Sequence, residues 1–470
     1  MKKVPLYERF AQELEAQIAE GTFREGSRIP SIREMSESRG ISFSTVVQAY
    51  QVLDSRGILE ARPQSGYFVR ARARTRAPEP GFSPRQVDPT HVSIDEVSER
   101  ILQDSLNLDY AQFGAAIPDP ELLPTAKLNR ILAALAREGR FPDSCVGPFE
   151  GREELRVQIA RRAFSYGCDL QPDRIVITAG CTEAICLCLQ AVCEPGDLVA
   201  IESPTYFGVL MALEAQHLRA LEIPTHPRTG LSLEALRFAL DNHPIKAVVA
   251  MTNFSNPTGA TMGDDDKREL VALLSERGVP LIEDDINGEL YFSERRPGVA
   301  KAYDEGGNVM LCSSFSKDIS SGHRIGYVAP GRRFAELRRL KCALNVRTSV
   351  LPQLAIASFL ESGGYDQHLR RIRRAYALKM ENLACAVARH FPEGTRVAAP
   401  GGGFVLWVQL PGGLDSLTLY HEALRAFVTI APGYVFSPAR KFDDYVRMSA
   451  ASWSEKSEGD LARLGQVAKR

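Results

Sequence analysis

The chain has 470 residues, 44% of them apolar and 24% charged, with a net charge of −1. That length is too great for one ordinary domain, and the near-neutral balance excludes a chain that binds nucleic acid over its whole surface. No apolar run is long enough to span a membrane, and "MKKVPLYERFAQELE" lacks the apolar stretch of a signal peptide, so a cytoplasmic protein with no membrane partner is expected.

The nine cysteines fit reduced thiols better than a disulfide framework. Four of them, Cys181, Cys186, Cys188 and Cys193, lie in "CTEAICLCLQAVC" without the paired spacing of a zinc site. They read as small apolar residues of a core helix, and no metal site is expected. Charge is unevenly spread. Residues 1–76 hold 13 Lys and Arg against 9 Asp and Glu, and the remainder holds 44 against 49. A mildly basic front on a mildly acidic body implies two jobs.

In chain order, "PLYERFAQELEAQIAEGTF" places Leu6, Phe10, Leu14 and Ile18 at four-residue spacing, an amphipathic helix closed by Gly21. "SRIPSIREMSESRG" opens a second helix at Pro30–Ser31 and closes it at Gly40. "SFSTVVQAYQVLDSRG" puts Val46, Ala49, Tyr50 and Leu53 on one face of a third, ending at Gly57. "ILEARPQSGYFV" is then two short β-prone runs around a turn at Pro63–Gly66.

Helix, helix–turn–helix and hairpin make an α+β winged helix-turn-helix over residues 1–70. Ser42, Ser44 and Thr45 at the start of its third helix suit phosphates and base edges of a double-stranded DNA operator, with Arg33 and Arg62 flanking them. Ser42 also has the chemistry of a helix cap.

The stretches "RIPSIRE", "S-x-x-T-V-x-x-A-Y-x-x-L-x-x-x-G" and "SGYFV" resemble the GntR family of bacterial repressors. That resemblance implies dimers on two half-sites. Where the family usually carries a basic residue after the Ser42 position, this chain has Phe43.

Residues 71–95, with four prolines and alternating arginines, read as an extended or flexible linker. Beyond them, over 96–470, "RIVITAG", "KAVVAMTNF", "VPLIEDD", "NVMLCSS" and "IGYVAPG" are short β-prone runs separated by helical patterns. This predicts an α/β domain on a mostly parallel sheet, with ligands at the strands' C-terminal ends.

Those ends carry Gly180-Cys181-Thr182 opening a helix, Asn256-Pro257 in a stiff turn, Glu283-Asp284-Asp285, and "SSFSK" with Ser314, Ser316 and Lys317, followed by Arg324. A lysine amine that condenses with an aldehyde, a carboxylate that keeps a ring nitrogen protonated, and hydroxyls, helix N–H groups and an arginine around a phosphate fit pyridoxal 5′-phosphate. Lys317 reads as the Schiff-base lysine.

From about residue 110 the motifs "TAGCTEAI", "ESPTYFG", "TNFSNPTG", "LIEDD", "SSFSK-x6-R" and "VRMSA" resemble the fold-type-I aminotransferases. The resemblance implies a small C-terminal subdomain and a homodimer. It also implies phosphate binding by the backbone of Cys181 and Thr182, ring stacking by Tyr206, contact of Asn256 with the ring hydroxyl and of Asp284 with the ring nitrogen. Arg447 would hold the carboxylate of an effector, which could be an amino acid or, without that contact, an amine. A winged helix fused to such a body is similar to the MocR regulators.

Three positions depart from that pattern. Asn287 and Val146 stand where relatives have tyrosines, and Asp318 follows the lysine within "DISSG". A bound cofactor with little turnover is therefore expected. Regulator, aminotransferase with an accessory head, and regulator with a cofactor-free scaffold are the three functions to separate. Turnover of an amino acid would favour the second, and absence of the cofactor the third.

Overall fold

The computed structural model describes the chain except residues 1–4, 20–21, 24–25, 56–57, 63–64, 70–76, 84–88, 93–95, 105–106, 108, 139–147, 455 and 470. Val146 and the expected closures at Gly21, Gly57 and Pro63 lie outside the described residues. The chain divides into two compact units, Met1–Arg76 and Ala77–Arg470.

In the first unit, α1 (Leu6–Ala19), α2 (Ile32–Arg39) and α3 (Phe43–Ser55) precede an antiparallel hairpin of β1 (Leu59–Arg62) and β2 (Gly66–Val69). Ser31 caps α2 in a reciprocal box with Glu34, satisfying donors that a helix start leaves free, and Gly40 ends the helix in the left-handed conformation. Val46, Ala49, Tyr50 and Leu53 are wholly buried, as their spacing on α3 requires. Burying each of the larger ones is worth about 1.5–3 kcal/mol. The Tyr50 hydroxyl finds the Pro30 carbonyl at 2.9 Å, so the ring is buried without an orphaned O–H. Leu6, expected on the inner face of α1, is 53% exposed because the core ends one turn later, at Phe10.

In the second unit, described residues of the expected linker are fixed to the body. The Val397 N–H donates to the Pro78 carbonyl at 2.8 Å, and Ser83 exchanges hydrogen bonds with Thr225. Arg228 pairs with Glu79 at 2.5 Å. Farther on, β3 (Thr90–His91) is an edge strand of the main sheet. Prolines hold this segment extended, and an extended chain with free carbonyls pairs readily with whatever backbone it crosses.

The short β4 (Ala111–Gln112) stands apart from the main sheet. The sheet itself is built from β5 (Val176–Thr178), β6 (Leu198–Ser203), β7 (Arg219–His226), β8 (Gly230–Leu231), β9 (Ile245–Ala250), β10 (Leu281–Asp284), β11 (Val309–Ser314) and β12 (Gly326–Ala329), with β3 at its edge. Its order is β3-β7-β6-β9-β10-β11-β12-β5, with β8 on β7.

Strands β7, β6, β9, β10 and β11 run parallel, and β12 runs against both β11 and β5. These strands are buried along nearly their whole length and are mostly apolar, with polar residues gathered toward the C-terminal ends of β6, β10 and β11. A smaller antiparallel sheet of Arg396–Val397, Val405–Gln409, Tyr445–Ser449 and Ala431–Pro432 carries the C-terminal subdomain. Trp407 stacks on Tyr445 across it. Among the described residues, no helix is long and apolar enough to cross a membrane.

Candidate functional site

Lys317 follows β11 and sends its Nζ to the Ala116 carbonyl at 2.6 Å, with the Phe404 ring 5.8 Å away. Burial, helped by the charges of Arg447 and Arg324, pulls its pKa down from 10.5 to about 8, against the opposing pull of Asp284 and Cys181. A lysine held this way has far more neutral amine at pH 7 than a surface one, about 10% instead of roughly 0.03%.

Asp284 ends β10 and is buried. Burial raises its pKa to about 6, although the Ile286 N–H at 3.0 Å and the Cys181 thiol at 3.3 Å both donate to Oδ1 and favour the carboxylate. It is therefore ionised at neutral pH and would be more so beside a cationic ring nitrogen.

At the same edge of the sheet, after β5, Gly180 precedes the helix Cys181–Val192 at φ +97°, a conformation glycine adopts freely. A Cβ there would meet the Arg324 guanidinium at 2.5 Å, so only glycine lets that arginine lie over the helix start. Arg324 Nη2 donates to the Ala179 carbonyl at 3.3 Å. Ser314 and Ser316 are buried alongside, and Ser316 Oγ has no hydrogen-bond partner. Thr182 is exposed in the first turn of the helix. A helix N-terminus, a guanidinium and a buried orphan hydroxyl together make an anion cradle.

Tyr206 precedes the helix Phe207–Ala215, and its ring lies so close over Gly208 that a side chain there would overlap it. Lys317 and Tyr206 share the fields of Arg447, Asp284, Cys181 and Arg324, so these six side chains converge on one place. Asn256 is buried with Oδ1 unpartnered.

Arg447 is 1% exposed on the strand Tyr445–Ser449, where Nη2 bonds the Gly114 carbonyl while Nε and Nη1 have no partner. Burial lowers its pKa to about 10. A buried guanidinium with two orphaned nitrogens is costly unless an anion completes it.

The structure adds partners for two of the named positions. Asn287, a candidate for contact with the cofactor, is buried, and its Nδ2 donates to the Phe254 carbonyl at 2.9 Å, tying the turn after β10 to the "SNPTG" loop. Asp318 follows Lys317 in sequence, yet its carboxylate accepts from the Tyr365 hydroxyl, and its carbonyl meets His368 Nε2 at 2.5 Å. The polypeptide turns there, so consecutive side chains point apart. Cys181 adds a thiol contact to Asp284 that the sequence did not reveal, whereas Cys186 and Cys193 are only partly buried.

The carbonyls of Gly114 and Ala116 were not foreseen either. Their only trace in the sequence is the small-residue run Gly114-Ala115-Ala116.

In the head, α3 begins at Phe43, one residue after Ser42. Ser42 Oγ accepts from the Thr45 N–H at 3.2 Å and lies 3.0 Å and 2.7 Å from the hydroxyls of Ser44 and Thr45. Arg33 is exposed and pairs with Glu37 at 3.2 Å. Arg62 lies over Phe68 and pairs with Glu60 at 3.3 Å. These residues belong to the first unit and the converging six to the second.

Residues 124–461 match the family described as aminotransferase class I and II, and residues 6–69 match the bacterial regulatory proteins of the gntR family. The chain is 40% identical to the HTH-type transcriptional regulator YdcR of Escherichia coli, over 99% of both chains. It is 30% identical to the 2-aminoadipate transaminase of Thermus thermophilus, over 76% of this chain and 89% of that one.

Among solved structures, the kynurenine aminotransferase of Pyrococcus horikoshii, in complex with PMP, superposes with a TM-score of 0.73 at 27% identity, over 80% of this chain and 95% of that one. The alpha-aminoadipate aminotransferase LysN of Thermus thermophilus, complexed with N-(5′-phosphopyridoxyl)-L-leucine, gives 0.73 at 28%, over 81% and 95%.

Proposed function

The chain belongs to the aminotransferase class I and II family and, with its gntR-family head, to the MocR-type regulators, and from that premise we propose that it regulates transcription by sensing pyridoxal 5′-phosphate or its adduct with an amino acid. Pyridoxal 5′-phosphate is the cofactor of this body, and the residues present fit it. Ser316 Oγ is a buried orphan that would donate to a phosphate, Asn256 Oδ1 is one that would accept from a ring hydroxyl, and the Gly180 turn leaves the backbone open beside Arg324.

When bound, the cofactor supplies an aldehyde carbon for amine capture and a ring that accepts electron density. The chain's own residues do the rest. Lys317 Nζ, held against the Ala116 carbonyl and depressed to about 8, provides the neutral amine. Asp284 holds a proton on the ring nitrogen, and Cys181 and Ile286 fix its Oδ1. The helix start at Cys181 and Thr182, with Ser314, Ser316 and Arg324, takes the phosphate. Tyr206 covers the ring. Arg447 offers Nε and Nη1 to the effector's carboxylate, the one observation that most directly supports an amino acid over a simple amine.

The head reads a double-stranded operator through α3, and a homodimeric body would set the spacing of two half-sites. Capture of an effector at Lys317 would change the body, and the segment joining the units would carry the change to the heads.

The reading is tested by the visible spectrum of the purified protein with and without pyridoxal 5′-phosphate, beside Lys317→Ala. Operator affinity is measured in the same preparations. A yellow band that borohydride removes and the variant lacks, together with an affinity that responds to the cofactor or to an amino acid, supports the sensor. A colourless protein whose operator affinity never changes refutes it.

A further inference from the structure

The third helix of the head buries Val46, Ala49, Tyr50 and Leu53 and leaves one large apolar side chain outside, Phe43, which is 58% exposed. Phe43 is the first residue of α3. Cα–Cβ bonds tilt toward a helix's N-terminus, so a side chain at the first position projects past the helix end rather than across to the core. Its neighbours are hydroxyls. Ser42, Ser44 and Thr45 form a hydrogen-bonded cluster at the same tip, and Ser42 Oγ is already committed to the Thr45 N–H. The tip therefore offers a phenyl ring within a rim of small polar groups, with no charged side chain between residues 41 and 45.

In a winged helix-turn-helix this tip is the part of the recognition helix that meets base edges in the major groove. Only one base edge there is apolar, the C5 methyl of thymine. A phenyl ring cannot donate to guanine or accept from cytosine, and it would desolvate their polar edges without replacing the lost hydrogen bonds. From the exposure and position of the ring we infer that Phe43 is a specificity-determining residue that packs on a thymine methyl, so each half-site carries a thymine at the position it covers. The serine and threonine hydroxyls at its rim take adjacent phosphates or polar base edges, and Phe43 supplies the methyl readout.

The inference rests on the head binding DNA, and the test separates the two. Full-length protein loaded with pyridoxal 5′-phosphate is used to select from a pool of randomised duplexes, in parallel with Phe43→Ala and Phe43→Leu. The wild type should return a thymine at one fixed position per half-site. Replacing that thymine by deoxyuridine, which removes the methyl alone, should weaken binding about fourfold per half-site.

Phe43→Ala should bind the two duplexes equally, with the salt dependence of its affinity unchanged because no charge is lost. Phe43→Leu should keep a reduced preference. Because the side chain is exposed, neither variant should alter the melting of the head. Wild-type protein that retains no duplex would overturn DNA binding itself. Wild-type binding that ignores deoxyuridine at every position, or a Phe43→Ala variant that keeps the thymine preference, would overturn the assignment of Phe43 alone.

Discussion

Replacing Arg447 by methionine, which keeps much of the length and removes the charge, should stabilise the effector-free protein and abolish its response to carboxylates. The guanidinium is buried with Nε and Nη1 unpartnered and only Nη2 satisfied, by the Gly114 carbonyl. Each unmet donor costs about 1–3 kcal/mol, and the substitution removes both while freeing one carbonyl at a similar cost. The net is a gain of about 1–3 kcal/mol, in the range found when apolar residues replace buried ions.

For a body of roughly 400 residues, a melting entropy near 2 cal/mol/K per residue makes that a rise in Tm of about 1–4 °C. In the same variant, an amino acid should lose at least about thirtyfold in affinity, the lower end for truncating a buried charge pair. Its decarboxylated amine should lose nothing. The assay is scanning calorimetry of the cofactor-loaded protein, with a panel of amino acids beside their decarboxylated amines. A variant that melts lower and still binds amino acids better than amines would refute the reasoning, because Arg447 would then be a satisfied structural residue.

Lys317 predicts a pH profile: the rate at which added pyridoxal 5′-phosphate colours the cofactor-free protein should climb about tenfold above its pH 7 value and level off beyond about pH 8. An inflection near 10.5 would mean an ordinary lysine. Glu289 is half-buried among Arg162, Arg296 and Arg373, whose charges outweigh desolvation and hold its pKa at about 2, against 4.5 when unfolded. Its stabilising effect is complete above about pH 4.5 and is lost as pH falls toward 2. Glu289→Gln should cost about 3–5 kcal/mol at pH 7 by denaturant unfolding and little at pH 2.

Asp318 has the opposite sign, since burial raises its pKa to about 7 from 3.8. The folded state keeps a proton that the unfolded state has lost, so stability falls as pH rises through that window. Asp318→Asn should match the parent at pH 4 and be more stable at pH 8. Equal stability at both would show the carboxyl to be ionised without penalty.

Much of the site was legible in the chain because strands that end in a cluster of small residues, carboxylates or glycines announce ligand positions. Lys317 after β11, Asp284 at the end of β10 and Gly180 after β5 could each be read that way. The helix-turn-helix was legible for the same local reason, since spacing on α3 alone selects its buried face. The partners of Asn287 and Asp318 were not legible because their neighbours in sequence are not their neighbours in space. Asn287 reaches back to Phe254 and Asp318 across to Tyr365, pairings that no spacing encodes.

The sequence by itself determined the elements, the division into a basic head and an α/β body, and the residue types suited to a phosphate, a ring nitrogen and an amine. Those depend on short-range periodicity and on side-chain chemistry, which are written residue by residue. Only the tertiary structure decided which groups lack partners. The orphaned nitrogens of Arg447, the Lys317 amine on a carbonyl 201 positions away and the thiol of Cys181 on Asp284 all arise where distant segments meet. Desolvation, which sets the pKa values and the cost of an unmet hydrogen bond, belongs to that meeting and not to any one stretch of chain.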